Sequence, residues 1–400
     1  MKRFYFDWAA SAPPAFPPLV DVPFGNPSSQ HTEGCRAAEA LQDARRRSAA
    51  ALSAPEDSLY WTSGATESNA IVILSRLIRG GRHQNDCCIT SAVEHPSCLR
   101  NFQTLEQAGT AVIYLKPNRT GHIDEAALDR ALDSYRQTSF VSIQWVNSET
   151  GAIQDIPRLC ARIRARASRP VHLHSDCVQA LGKIPIALET SGLDSAAFSA
   201  HKIGGQRGIG LLYLKKPLEA LVKGGGQEQG IRPGTENLAG ALDFARCLEQ
   251  YLAPAALRAN AEAACRRLRR LLDGLCAIGT CTIVPACRAT PAAAVHGGAL
   301  EDGGDGGDTG LFSPYILSAA LRDIPGEVMV RALDAAGYAV STGSACSSAR
   351  KKKTAFLAAG IDEKTAFETI RISQGFTTTE ADIDSLCAAI QKICAGLGNG

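Results

Sequence analysis

The 400-residue chain carries almost no net charge: 42 basic against 40 acidic side chains leave +2. That removes the electrostatic case for a nucleic-acid partner or an anionic membrane surface. No apolar run is long enough to cross a bilayer. Residues 1–10 carry aromatics and an Asp, with prolines following at once, and have no apolar stretch of the kind a secretory leader needs. A cytoplasmic location is therefore expected. The 14 cysteines are scattered, with no Cys-x-x-Cys pair and no Cys/His ladder at zinc spacing. Neither a metal site nor a disulfide scaffold is expected, and most thiols read as small buried hydrophobes in a reducing compartment. The acid- and glycine-rich tract 301–308 lacks both the ligand spacing and the closing Glu of a calcium loop, and reads as a mobile insertion.

The chain is 45% hydrophobic and 20% charged, enough for one large core and a smaller one. A large domain over 16–255 is expected, with residues 1–15 and 256–400 forming a smaller α+β domain. Residues 3–30, rich in Pro, Gly and Ser, read as an irregular arm. A helix is predicted over 32–52, then strands over 59–62, 87–92, 111–115, 140–146, 171–175, 195–198 and 208–214. Helical segments alternate with them, one over 70–78 and another opening at Glu94-His95-Pro96-Ser97. This rhythm predicts an α/β fold with a mostly parallel sheet covered on both faces. A long helical stretch over 238–275 follows, broken at Pro254.

In such sheets ligands lie beyond the carboxyl ends of the strands. His95, Asn147, Asp176 and Lys202 all fall at or just past predicted strand ends. Singly they read as a helix cap, a turn former, a satisfied core polar group and a loop lysine; four in one layer are harder to explain that way. Ser199-Ala200-His201-Lys202 closes a buried strand, and a partly desolvated lysine there is placed to condense with a carbonyl cofactor. Asp176 closes another, where a carboxylate is costly unless paired, and a protonated pyridine nitrogen would pair with it. Ser63-Gly64-Ala65-Thr66, between a strand and a helix, makes an anion cradle, although helix capping accounts for part of the pattern. Cys346 sits among small polar residues, as an exposed nucleophilic thiol or an incidental loop cysteine. Arg371, between two isoleucines of a strand, wants an anionic partner: a substrate carboxylate or a structural ion pair.

These motifs, with Phe4-Tyr5-Phe6-Asp7-Trp8, Gly25-Asn26-Pro27-Ser28-Ser29, Asn147-Ser148-Glu149-Thr150-Gly151 and the loop 224–235, occur in an order that resembles the cysteine desulfurases of the NifS/IscS type. The resemblance runs nearly end to end. It implies the fold type I architecture of the class V aminotransferases, a seven-stranded-type sheet and pyridoxal 5'-phosphate as cofactor. It implies Lys202 as the amine that takes the cofactor aldehyde. Ala65, Thr66, Ser199, His201 and a partner subunit's Thr235 would hold the phosphate. His95 would stack on the ring, Asp176 would pair with its nitrogen, and Gln179 and Asn147 would lie near its phenolic oxygen. Asn26, Asn147 and Arg371 would receive the carboxylate of L-cysteine, and Cys346 would take the sulfur as a persulfide for an acceptor or iron–sulfur scaffold protein. A homodimer is implied as well. The chain departs from the family at Gln206, Arg207, Gln229 and Pro233, and residues 288–312 match it poorly. The basic run 350–353 reads as a solvated helix start or as a docking site for an acidic acceptor. Selenocysteine cleavage or transamination on the same fold, or a non-catalytic interaction protein, are the competing readings.

Overall fold

The computed structural model describes residues 3–78, 86–289, 312–343 and 354–397. Cys346, the basic run 350–353 and the tract 301–308 lie outside them. In chain order the described elements are β1 (Phe4–Tyr5), α1 (Thr32–Leu52), β2 (Leu59–Thr62), α2 (Ala65–Leu74), β3 (Cys87–Ser91), α3 (Pro96–Gln107), β4 (Ala111–Leu115), α4 (Glu125–Ser134), β5 (Thr138–Ser142), α5 (Ile156–Arg166), β6 (His172–Asp176), β7 (Ser195–Ser199) and β8 (Gly210–Leu214). Then come α6 (Leu238–Leu252), α7 (Pro254–Cys276), β9 (Cys281–Val284), β10 (Ile316–Leu321), α8 (Gly326–Ala335), β11 (Tyr338–Ala339), α9 (Thr354–Ala358), α10 (Glu363–Glu368), β12 (Thr369–Ser373) and α11 (Glu380–Leu397). No helix among them is long and apolar enough to cross a membrane.

Seven strands form one sheet in the order β2-β8-β7-β6-β5-β3-β4. β3 to β7 run parallel; β8 is antiparallel to both of its neighbours. Only residues 200–209 join β7 to β8, too few for a helical crossover, so the chain turns straight back. Alternation along the strands sorts side chains onto two faces. Leu59, Trp61, Ile89, Val141, Leu211 and Tyr213 share one core with apolar residues of α1, α4, α5 and α6. Tyr60, Cys88, Phe140, Leu212 and Leu214 face the other way, onto α2 and α3. With both faces covered, β3, β5, β7 and β8 are buried at every position.

A second core gathers Phe6 with leucines of α7, apolar residues of β10 and β12, and Ile383, Leu386 and Ile390 of α11. Its sheet, β12-β10-β9, is antiparallel, with β1 and β11 paired beside it. Two described ends of the poorly matching stretch are packed: Arg288 is buried and donates to the carbonyls of Thr150 and Ser313, and its guanidinium lies over the Phe312 ring. At the far edge of the large sheet, Arg45 and Glu228 form an ion pair at 2.6 Å. Arg45 also donates to Leu59 O at 2.5 Å, and Glu228 accepts from Trp61 N at 2.7 Å.

Two predicted boundaries move. The strand expected over 140–146 ends at Ser142, and Val146 only bridges to Ile153. The helix expected from Ala70 begins at Ala65, because Gly64 (φ +152°) turns the chain directly into it. The apolar run marks the buried side of that helix, not its start. Gly210 makes the turn possible: it pairs with both Ser199 and Thr62, and a Cβ there would lie 2.5 Å from Gly64 Cα. Gly210→Ala is expected to cost about 1–3 kcal/mol of stability through this backbone clash, seen as a lowered midpoint in thermal melts.

Candidate active site

The carboxyl ends of β2, β3, β6 and β7 and the loop after β5 supply most of the predicted site residues. At the β2 end, Thr62 Oγ1 lies 2.8 Å from Ser68 Oγ and fastens strand to helix. Gly64 has no side chain to cap α2, so the first backbone N–H groups of that helix face outward with the positive end of its dipole. Ser199 Oγ stands 3.9 Å from where a Gly64 Cβ would be, so its hydroxyl joins the same cradle. Ala65 is buried and Thr66 exposed in the first turn.

Lys202, three residues beyond β7, is held by backbone. Its Nζ donates to Ala9 O at 2.8 Å and to Ala10 O at 2.9 Å. The N-terminal arm reaches it through Ala12 N to His201 O, 2.8 Å, and Ala15 N to Gly204 O, 2.8 Å. Ala9 N donates in turn to Ser373 Oγ on β12 at 2.9 Å. His201 contacts Ser11 Oγ at 3.3 Å; burial, then the neighbouring Lys202 charge, push its pKa down to about 4, so it stays neutral.

Asp176 ends β6 buried and hydrogen-bonded: Oδ2 accepts from Asn69 Nδ2 at 2.9 Å and Oδ1 from Val178 N at 3.1 Å. A carboxylate accepts only, so Asn69 turns its NH2 toward it. The rest of the network follows. Asn69 Nδ2 also donates to Ser97 Oγ (2.9 Å), which meets His95 Nδ1 (2.7 Å), where Ser97 N donates too. Asn69 Oδ1 accepts from His174 Nε2 (2.9 Å), leaving His174 Nδ1 to accept from Ser195 Oγ (2.8 Å). Burial, then His172, lower the His174 pKa to about 3, as a neutral member of this chain requires. One polar network thus joins Asp176 to His95, which caps α3. Asp176, Lys202 and Glu149 all act electrostatically on the His95 ring. Ser97 lies in the motif that opens α3 and His174 in a predicted strand, while nothing in the sequence singled out Asn69; only their shared hydrogen bonds reveal a role.

Asn147 is buried and occupied by its own loop: Oδ1 accepts from Glu149 N and Thr150 N, and Nδ2 donates to Val93 O. Gln179 Nε2 donates to Ala9 O at 2.9 Å, sharing that acceptor with Lys202. Arg371, central in β12, pairs with Asp7 at 2.8 Å and donates to Ser148 O at 3.1 Å; its Nε is buried without a hydrogen-bond partner. Asn26 is exposed and bonded to Ser28 N within its own turn, away from any contact with Arg371. Thr235 is exposed on its loop, whose Arg232 lies 3.3 Å from Glu67 of α2.

The structure fits pyridoxal phosphate. A lysine amine, a buried carboxylate and an uncapped helix start with a serine hydroxyl match the cofactor's aldehyde, pyridine nitrogen and phosphate.

Glu94, beside His95, is buried and accepts from Gln144 N at 2.8 Å. Burial, reinforced by Asp176, pushes its pKa up to about 8. The folded protein therefore holds a proton there that the unfolded chain releases near pH 4.5, and stability falls as pH rises from about 4.5 to 8. Glu94→Gln removes this penalty. Its thermal midpoint should exceed the wild type's by a margin that widens over that window; a constant margin would refute the assignment.

The class-V aminotransferase model matches residues 22–300. A cysteine desulfurase IscS of Dictyoglomus turgidum is 32% identical, covering 98% of this chain and 95% of its own. A solved NifS-like protein superposes with TM-score 0.83 at 28% identity, over 98% of this chain and 99% of the other. A structure described as SspA in complex with cysteine gives 0.72 at 25%, over 93% and 99%. With a lysine, a buried carboxylate and an anion cradle on one sheet end, and relatives matched over nearly their whole length, this chain belongs to the class-V aminotransferase family, within its pyridoxal-phosphate-dependent cysteine desulfurases.

Proposed function

We propose that this chain removes sulfur from L-cysteine, releasing L-alanine and leaving a persulfide on Cys346 for an acceptor protein. The observation that carries the reading is the placement of the Lys202 amine on two backbone carbonyls, in the strand-end layer that also holds Asp176 and the open start of α2. Pyridoxal phosphate, when bound, supplies an electron sink for the bonds at the amino acid's α-carbon.

The chain's own residues do the rest. Asp176, kept acceptor-only by Asn69 and Val178, holds positive charge at the ring nitrogen. The α2 N-terminus and the Ser199 hydroxyl anchor the phosphate, and Thr235 of a second copy completes that cradle in a homodimer. Lys202 leaves the Ala9 and Ala10 carbonyls to move the proton of the substrate α-carbon. His95, oriented by Ser97, shuttles protons at the ring face. The unpartnered Arg371 Nε is the donor left for the substrate carboxylate, Asp7 and Ser148 occupying the other guanidinium nitrogens. Cys346, as thiolate, attacks the substrate sulfur and forms the S–S bond of the persulfide; the carbon–sulfur bond breaks with its electron pair left on the substrate, whose β-carbon takes the proton of the substrate thiol and whose α-carbon regains its own, giving alanine. The acceptor is a thiolation carrier or an iron–sulfur scaffold, and the setting cytoplasmic.

Intact-mass measurement of the protein incubated with L-cysteine should show one added sulfur, lost in Cys346→Ala together with alanine formation. Lys202→Ala should be colourless where the wild type is yellow. Full alanine release by Cys346→Ala would overturn the desulfurase reading in favour of another reaction on this fold.

A further inference from the structure

Lys183 is 3% exposed, yet no carboxylate lies within ion-pair distance of it among the described residues. Its Nζ donates to one side chain, Gln179 Oε1, at 2.9 Å. The charges that reach it, Lys202 and Arg371, are both positive; burial first and these cations second bring its pKa down to about 7. A buried lysine with no counter-charge is costly for a fold to keep, and α/β packing does not require it here: Leu181 and Ile184 on either side supply the apolar contacts.

The geometry says what it does. Residues 177–184 form a helical turn after β6, closed by Leu181 N to Cys177 O and Ile184 N to Ala180 O, both within 3.1 Å. Gln179 and Lys183 stand four apart on this turn and meet. The carboxamide of Gln179 is also buried, and its other end donates to Ala9 O, the carbonyl that receives Lys202 Nζ. An amide has two orientations that differ little in shape. Lys183 selects between them, since only Oε1 accepts its N–H.

We propose that Lys183 is a positioning residue for the reacting lysine: it clamps Gln179 so that this side chain turns an N–H, and not its oxygen, toward Ala9 O and the Lys202 amine held there. The opposite orientation would set Oε1 against Ala9 O and offer Lys202 an acceptor beyond the two carbonyls it already has. An acceptor there would hold a proton on the Lys202 nitrogen. Lys183 thus acts through Gln179, the side chain to which its amine donates. The proposal rests on the pyridoxal-phosphate reading of the site.

The test is a pH titration of the visible absorbance of cofactor-loaded protein, comparing wild type, Lys183→Met, Gln179→Ala and the double variant. The expected result for Lys183→Met is a midpoint raised by about one pH unit, the scale of one hydrogen bond to a charged group. In the Gln179→Ala background the same change should move the midpoint by no more than a small fraction of that. An unchanged midpoint in Lys183→Met, or an equal shift with and without Gln179, overturns the proposal. Should Lys183→Met not fold, Lys183→Gln, which keeps a polar group but not a donor-only one, is read by the same criteria. A wild type without visible absorbance would overturn the cofactor reading itself, and this proposal with it.

Discussion

Two peptide carbonyls, Ala9 O and Ala10 O, hold the Lys202 amine. Their lone pairs orient its N–H groups and fix where the nitrogen sits. The tether is only as good as the placement of Ala9. That residue is fixed from the opposite side by Ser373 of β12, and the arm around it runs along both Ser373 and the His201–Gly204 turn. The small antiparallel sheet therefore positions the reacting lysine of the large sheet through a single strip of N-terminal chain.

Burial explains the remainder of the polar arrangement. A carboxylate at the inner end of β6 costs heavily unless every lone pair finds a donor. Asn69, from a different helix, supplies one, and once its NH2 is committed each later partner has one available role. Ser97, His95, His174 and Ser195 fall into order along a path with one sense of donation. The same pressure acts on Glu94, which answers it by keeping its proton. Burial, more than any neighbour, sets the protonation of Glu94.

Much of this was legible in the residues. Alternating strands and helices announced the mostly parallel sheet, and polar residues at strand ends announced the layer where chemistry sits. Lys202 and Asp176 stood out because each contradicts the apolar run before it. The start of α2 was not legible, since Ala65 to Asn69 carry no apolar periodicity, and its earlier onset is what turns Ala65 and Thr66 into residues of an open first turn. Asn69 and Lys183 were missed for a different reason. Their meaning lies in partners 107 and 4 residues away, and hydrogen-bond direction has no signature in a one-dimensional string. Asp7 as the partner of Arg371 is the same kind of fact, a contact across 364 residues. Cys346 lies outside the described residues, so its part in the site rests on the sequence.

The Arg45–Glu228 pair has a consequence away from chemistry. β2 is one of the two edge strands of the large sheet, and edge strands offer a ladder of unpaired amide groups to another chain. Arg45 fills the Leu59 carbonyl and Glu228 fills the Trp61 amide, two residues apart on one side. Together the two side chains take two of the places that the next strand would fill. One ion pair thus closes part of an edge on which another strand could add.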